Sequence, residues 1–184
     1  PLEALSFLEN HQPNTWTEPY DPLPYDDPHG NWISSDYLPN TIPNQGRKRS
    51  LVVGWWWYNM INRNSIRDKI TFFLHTTFTT SKDDGTGAST YYFDHLKLLE
   101  FYSNGSLKEL SKKITLDNAM LLYLDNTTNN ANNPNENYAR EFLELFTIGK
   151  GEQVGDGDYT NYTEVDVQQA ARVFSGFKTQ LDRS

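Results

Sequence analysis

The run Asn135-Glu136-Asn137-Tyr138-Ala139-Arg140-Glu141-Phe142-Leu143-Glu144-Leu145-Phe146-Thr147-Ile148-Gly149 decides the fold class of this chain. Projected at roughly 100° per residue, Tyr138, Ala139, Phe142, Leu143, Leu145 and Phe146 gather on one side. Glu136, Arg140 and Glu144 fall on the other at successive i,i+4 spacing. That pattern predicts an amphipathic surface helix over 134–148. Asn133 is placed to cap it, Pro134 suits the first helical position and Glu136 completes a capping box. Gly149 can take the left-handed conformation that ends it. Asn135 is the exception, because its projection points to the apolar side.

Working outward, the helical period holds over most of the chain and predicts helices at about 46–62, 65–79, 90–103, 106–115, 117–124 and 164–175, with a short one near 2–9. Ser65 with Asp68, Asp117, and Thr163 with Asp166 read as helix starts. In 65–79 the pattern buries Ile66, Ile70, Phe73 and Leu74 and leaves Asp68, Thr71, His75 and Phe78 along a flanking stripe, which sets His75 two turns from Asp68. The row Trp55, Trp56, Trp57, Tyr58 cannot face one way on a helix, so it predicts a central helix covered on several sides. Segments 81–89 and 126–133 read as polar loops, and no run alternates as a strand does.

The N-terminal part differs. Eight of the nine prolines fall at or before Pro43, among Trp16, Tyr20, Tyr25, Trp32 and Tyr37. Proline removes backbone donors and blocks helix, so residues 1–44 read as a short helix plus an irregular arm packing on a helical domain at 45–184. The fold class expected is mainly α, an irregular multi-helix bundle with a long Pro/aromatic-rich N-terminal arm and no substantial sheet.

Composition narrows the function classes. A chain of 184 residues that is 36% hydrophobic can bury a core. Its formal charge of −8 repels phosphate backbones and anionic lipid, which argues against a nucleic-acid partner. The longest apolar run, 51–58, is far shorter than the roughly 20 residues a membrane span needs. Without cysteine there are no disulfides, thiol nucleophiles or thiolate metal sites.

Among titratable groups, Glu136, Arg140, Glu141 and Glu144 with His75 are the candidate catalytic set. Were Arg140 and its carboxylates to face a cleft, burial would perturb their ionisation and make one usable as acid, base or ligand. The competing reading is a solvated Glu–Arg–Glu ladder. His11, His29 and His95 have no spacing that ties them to His75, and no His-x-x-x-His pair exists, so no zinc site is expected. The acidic stretch from Asp156 to Asp166 lacks the turn glycine and closing glutamate of a calcium loop and reads as a polar loop plus helix cap. No metal and no cofactor is expected.

Taken together, these residues resemble a known family. The run Asn135–Gly149, followed by Tyr162-Thr-Glu-Val-Asp166-Val and Ala170-Ala-Arg172-Val-Phe-Ser-Gly176-Phe, is similar to the signature of the bacterial domain-of-unknown-function family 1800. The likeness extends upstream through Ala119-Met-Leu-Leu-Tyr-Leu-Asp125-Asn126 and Gly105-Ser-Leu-Lys-Glu-Leu to Arg67-Asp-Lys-Ile-Thr-Phe-Phe-Leu-His75-Thr-Thr-Phe78. Asn135 and Arg67, both inside matching segments, are the ligand-binding candidates. The resemblance implies a mainly helical, exported bacterial protein, often encoded beside a family that looks like the phosphatase and sulfatase superfamily, and it supplies no reaction. Family members usually continue past the Ser175–Phe177 equivalents, so a C-terminal remainder of the same polypeptide is an expected partner. Where the family commonly reads Phe-Trp-His-x-His-Phe, this chain keeps His75 and has Thr77 in place of the second histidine. The expected role is a secreted or cell-surface accessory or binding module of an envelope or extracellular assembly, partnered by another such protein. The alternative is a hydrolase with a carboxylate/arginine/histidine cleft.

Overall fold

The computed structural model describes residues 45–63, 65–83 and 87–180. The helix expected near 2–9, the arm at 13–43, His11 and His29 lie outside the described residues. Among the described residues seven α-helices follow one another: α1 (Gln45–Asn62), α2 (Ile66–Thr77), α3 (Ser89–Phe101), α4 (Leu107–Ile114), α5 (Asn118–Tyr123), α6 (Asn137–Glu141) and α7 (Glu164–Val173). Short 3-10 turns at Tyr102–Asn104 and Asn126–Thr128 follow α3 and α5, and α6 runs into a π-helical turn at Phe142–Thr147. Among the described residues there is no sheet, only two isolated bridges, Asn130 with Asn133 and Gln153 with Tyr159.

Local chemistry explains most of the boundaries. The Ser65 hydroxyl accepts from Arg67 N, Ser106 from Glu109 N and Asp117 from Met120 N, each satisfying a donor that a helix start leaves open. Thr163 and Asp166 form a reciprocal capping box at α7. Gly149 has φ 71°, the left-handed conformation that closes the preceding helix. The start of α6 departs from expectation. Asn133 does not cap it, because the Asn130 side chain takes the Asn132 and Asn133 amides in a turn of its own. The Asn135 side chain then accepts from Asn137 N, so the helix begins three residues later than expected.

The central helix is α3 rather than α1. It buries Tyr91, Tyr92, Phe93, His95, Leu96 and Leu99 and packs against α1, α2 and α5. On α1 only the stripe Lys48, Val52, Trp56 and Met60 goes inward, at strict i,i+4 spacing. Of the aromatic row, Trp56 alone is buried and Tyr58 is 67% exposed. Trp55 is half-buried against Phe93 of α3, and Trp57 lies on Phe72 of α2 at the surface.

The face of α2 is rotated relative to the hydrophobic pattern, although Leu74 and, in part, Ile70 go inward as expected. Arg67, Asp68, Thr71, Leu74 and Phe78 are buried, whereas Ile66 is exposed and Phe73 is 65% exposed. The cause is a buried ion pair with the end of α3. Arg67 Nε donates to Glu100 Oε1 at 3.0 Å, and its Nη2 donates to the Glu100 carbonyl at 3.0 Å. The Thr71 hydroxyl donates to the Arg67 carbonyl. Sinking this forked guanidinium rotates the polar side of α2 inward, and the displaced aromatics go outward with Trp57, Met60, Ile61 and Lys69 around a surface hollow at Phe72.

Stranding one charge of a buried pair is expensive, whereas replacing both by apolar groups often is not. Glu100→Gln should therefore cost roughly 3 kcal/mol in urea unfolding, and Arg67→Met with Glu100→Leu clearly less than that single change. A double variant less stable than Glu100→Gln would show that the pair adds net stability.

Candidate functional site

The carboxylates and Arg140 divide into separate partnerships. Arg140 receives Glu136 on its own helix, Nη2 to Oε2 at 3.2 Å, and is gripped from α7 by Glu164, with Nη1 to Oε2 at 3.0 Å and Nη2 to Oε1 at 2.6 Å. The forked contact is the strong geometry for a guanidinium and a carboxylate. The Arg140 hydrogen bonds hold the Glu164 carboxyl below the ordinary range. Glu144 does not continue the ladder. It pairs with Lys150 Nζ at 2.6 Å and accepts from the Tyr162 hydroxyl at 3.2 Å. Arg140 is 35% exposed, so the pairing lies at a seam between α6 and α7 and not in a deep cleft.

Glu164 was not visible as a partner in sequence, because 24 residues separate it from Arg140. The acidic loop before it is committed to backbone: Asp158 accepts from Glu164 N at 3.0 Å and Asp166 closes the capping box. Asn135, with its odd projection, donates to the Asp125 carbonyl and the Thr128 hydroxyl, both at 3.2 Å, fastening the start of α6 to the turn after α5. Arg67 spends its guanidinium on Glu100, as described above.

His75 lies elsewhere. Its ring stands 5.2 Å from Trp56, 6.2 Å from Tyr92 and 5.8 Å from His95, centroid to centroid. Asp68 does not meet it and instead faces Arg63 at 4.0 Å. The buried Nε2 of His75 has no hydrogen-bond partner. Burial, and secondarily the charge of His95, pull His75 down to about 4. His95, which spacing did not link to anything, is fully buried with Nδ1 at 3.0 Å from Asp117 and Nε2 at 2.9 Å from the Phe78 carbonyl. Among the described residues, no group of three or more His, Asp or Glu side chains is arranged to hold a metal ion, and no helix is long and apolar enough to cross a membrane.

Glu141 is the remaining member of the set, and it opens onto a cleft of about 290 Å³. One wall comes from the end of α2, with Thr76, Thr77 and Thr79; a second from the end of α5, with Tyr123 and Leu124. The third is the π-helical turn, with Leu145 and Phe146. The turn itself makes this wall. Ile148 N reaches back to the Leu143 carbonyl at 3.2 Å, an i→i+5 bond. Each residue then advances by less than the α-helical step, so Leu145 leaves the apolar stripe where the regular period put it and is 56% exposed at the cleft. Glu141 has neither hydrogen bond nor ion pair among the described residues; burial first, then Glu144, push its carboxyl above the ordinary range. The structure thus brings Glu141 together with Thr77, the position that differs from the resembled pattern, and separates both from His75's aromatic pocket and from the Arg140 seam.

Two measurements follow from this geometry. Arg140→Ala should cost about 1 kcal/mol in denaturant unfolding, because the forked pair is half screened by water, and Arg140→Lys should recover little of it, since an ammonium cannot make the fork. A loss above about 3 kcal/mol would place the charges in a far drier setting. His75 binds a proton more weakly folded than unfolded, so stability is complete above its ordinary value near 6.5 and falls as pH drops from there toward about 4. The loss attributable to it should reach roughly 3 kcal/mol at pH 4, and His75→Phe should flatten that part of the stability curve.

No curated protein and no solved structure matches the chain. A family model does, over residues 9–183, described as "Protein of unknown function (DUF1800)". With nearly the whole sequence covered and the Arg140 helix, the α7 capping box and the α2–α5 segments all inside the match, the chain belongs to the DUF1800 family.

Proposed function

We propose that this domain is a ligand-binding module of an exported bacterial protein, working in an envelope or extracellular assembly, with the α2–α5–α6 cleft as its binding element. The observation that carries this reading is the division of charges. Arg140, Glu136, Glu144 and Glu164 neutralise one another or Lys150 at a structural seam, and His75 is sequestered among rings, while a single unpaired carboxyl stands in the one lining described above that mixes apolar and hydroxyl groups. Binding sites in general combine an apolar lining with a few placed polar groups. The net charge of −8 favours a protein or small-molecule partner over nucleic acid. A hydrolase would need its acid, base and positioning groups within reach of one bond, whereas His75, Glu141 and the Arg140 pairing stand in three separate surroundings.

The test is a fragment screen by saturation-transfer NMR on the protein and on Thr77→Trp, which fills the cleft. Hits should be present for the first and largely absent for the second, and cell fractionation should find the native protein outside the cytoplasm. Turnover in a panel of chromogenic ester, phosphate and glycoside substrates that Glu141→Gln abolishes would overturn the binding reading in favour of an enzyme.

A further inference from the structure

Hydrogen-bond inventory narrows what the cleft takes. The Thr76 hydroxyl donates to the Phe73 carbonyl at 2.7 Å and the Thr79 hydroxyl to the His75 carbonyl at 2.9 Å. Both hydroxyl protons are thereby spent on backbone, and each oxygen has only lone pairs left to offer. Glu141 adds a carboxylate, which accepts only. Toward a ligand these three groups together want donors. They also favour positive charge: Glu141 has no hydrogen bond or ion pair among the described residues and its neighbour Glu144 is acidic, while Lys150 and Arg140, both paired with other carboxylates, offset only part of that charge. Thr77 and Tyr123 add hydroxyls that can donate or accept, and the remaining lining, Leu124, Leu145 and Phe146, is apolar and suits a hydrocarbon chain.

Resting on the reading of this cleft as the binding element, we propose that it takes a primary ammonium group carried on a short aliphatic chain. The ammonium supplies three donors and one positive charge to Glu141 and the threonine oxygens, and the chain lies on Leu145 and Phe146. An anionic ligand would meet the like charge of Glu141, only partly offset by Lys150 and Arg140, and a neutral alcohol could satisfy at most one of the three acceptors with its own proton. The same chemistry is offered by a free alkylamine and by a lysine side chain of a partner protein.

The test uses the protein with three probes of equal length, hexylamine, hexanol and hexanoate, followed by amide chemical-shift mapping. Hexylamine should shift Thr77, Tyr123 and Glu141, and the other two should not. Glu141→Gln, which keeps the shape, should weaken hexylamine at least about tenfold, the scale of one charge-assisted hydrogen bond. Leu145→Lys, at an exposed lining position, should block it by supplying an internal ammonium. Nα-acetyl-lysine methylamide identifies the source: tighter binding than hexylamine assigns a protein lysine, weaker binding a free amine. Equal shifts from hexanol, or an amine affinity unchanged in Glu141→Gln, would overturn the ammonium assignment and leave the cleft a binding site. Silence from all of the probes would overturn the cleft reading as well.

Discussion

Two of the three walls of the cleft are held in place by one buried imidazole. His95 sits on the central helix α3, with the Asp117 carboxylate on one nitrogen and the Phe78 carbonyl on the other. Asp117 is at the same time the residue that caps α5, and the Phe78 amide closes the last turn of α2 on Leu74. One ring therefore fixes the end of α2 and the beginning of α5 against α3. Each ring nitrogen thus stands within hydrogen-bond distance of one oxygen, so the ring ties both segments together. Left unpaired in this fully buried place, the same groups would be costly. Thr76, Thr77 and Thr79 flank Phe78, and Tyr123 and Leu124 end the helix that Asp117 starts, so the two walls of the cleft are both indexed to this contact.

Charge is handled differently at each depth. In the interior, Arg67 and Glu100 pair where water does not reach, and the pair dictates which side of α2 is inside. At the α6–α7 seam, Arg140 joins Glu136 and Glu164 in half-solvated surroundings, where the fork gives orientation more than stability. At the cleft, Glu141 has no such partner. Of the carboxylates at these three places, Glu141 alone lacks an ion pair among the described residues.

What sequence made legible follows the range of the interactions. Helix existence and most caps, at Ser65, Ser106, Asp117 and Thr163, depend on residues within one turn and are readable from spacing alone. The inward face of α2 is set by a partner 33 residues away, the grip on Arg140 by one 24 away and the seating of His95 by one 22 away. No periodicity carries that information, which is why the inward face of α2 is rotated from its hydrophobic stripe and the Glu–Arg–Glu ladder broke at Glu144. At the site, Glu141 was among the candidates and Thr77 stood out as a departure from the family pattern. Thr79, Tyr123 and the cleft itself were hidden, since three chain segments have to meet before there is a wall to line.

The π-helical turn makes the cleft a property of chain length as much as of residue type. A hydrogen bond that spans five positions where an α-helix spans four pushes Leu145 outward, to the cleft that Glu141 also lines. One amino acid fewer between Glu141 and Gly149 would let the helix close regularly and swing the following side chains across the opening. Such a pocket can be opened or sealed by insertion or deletion of a single codon with every lining residue otherwise retained.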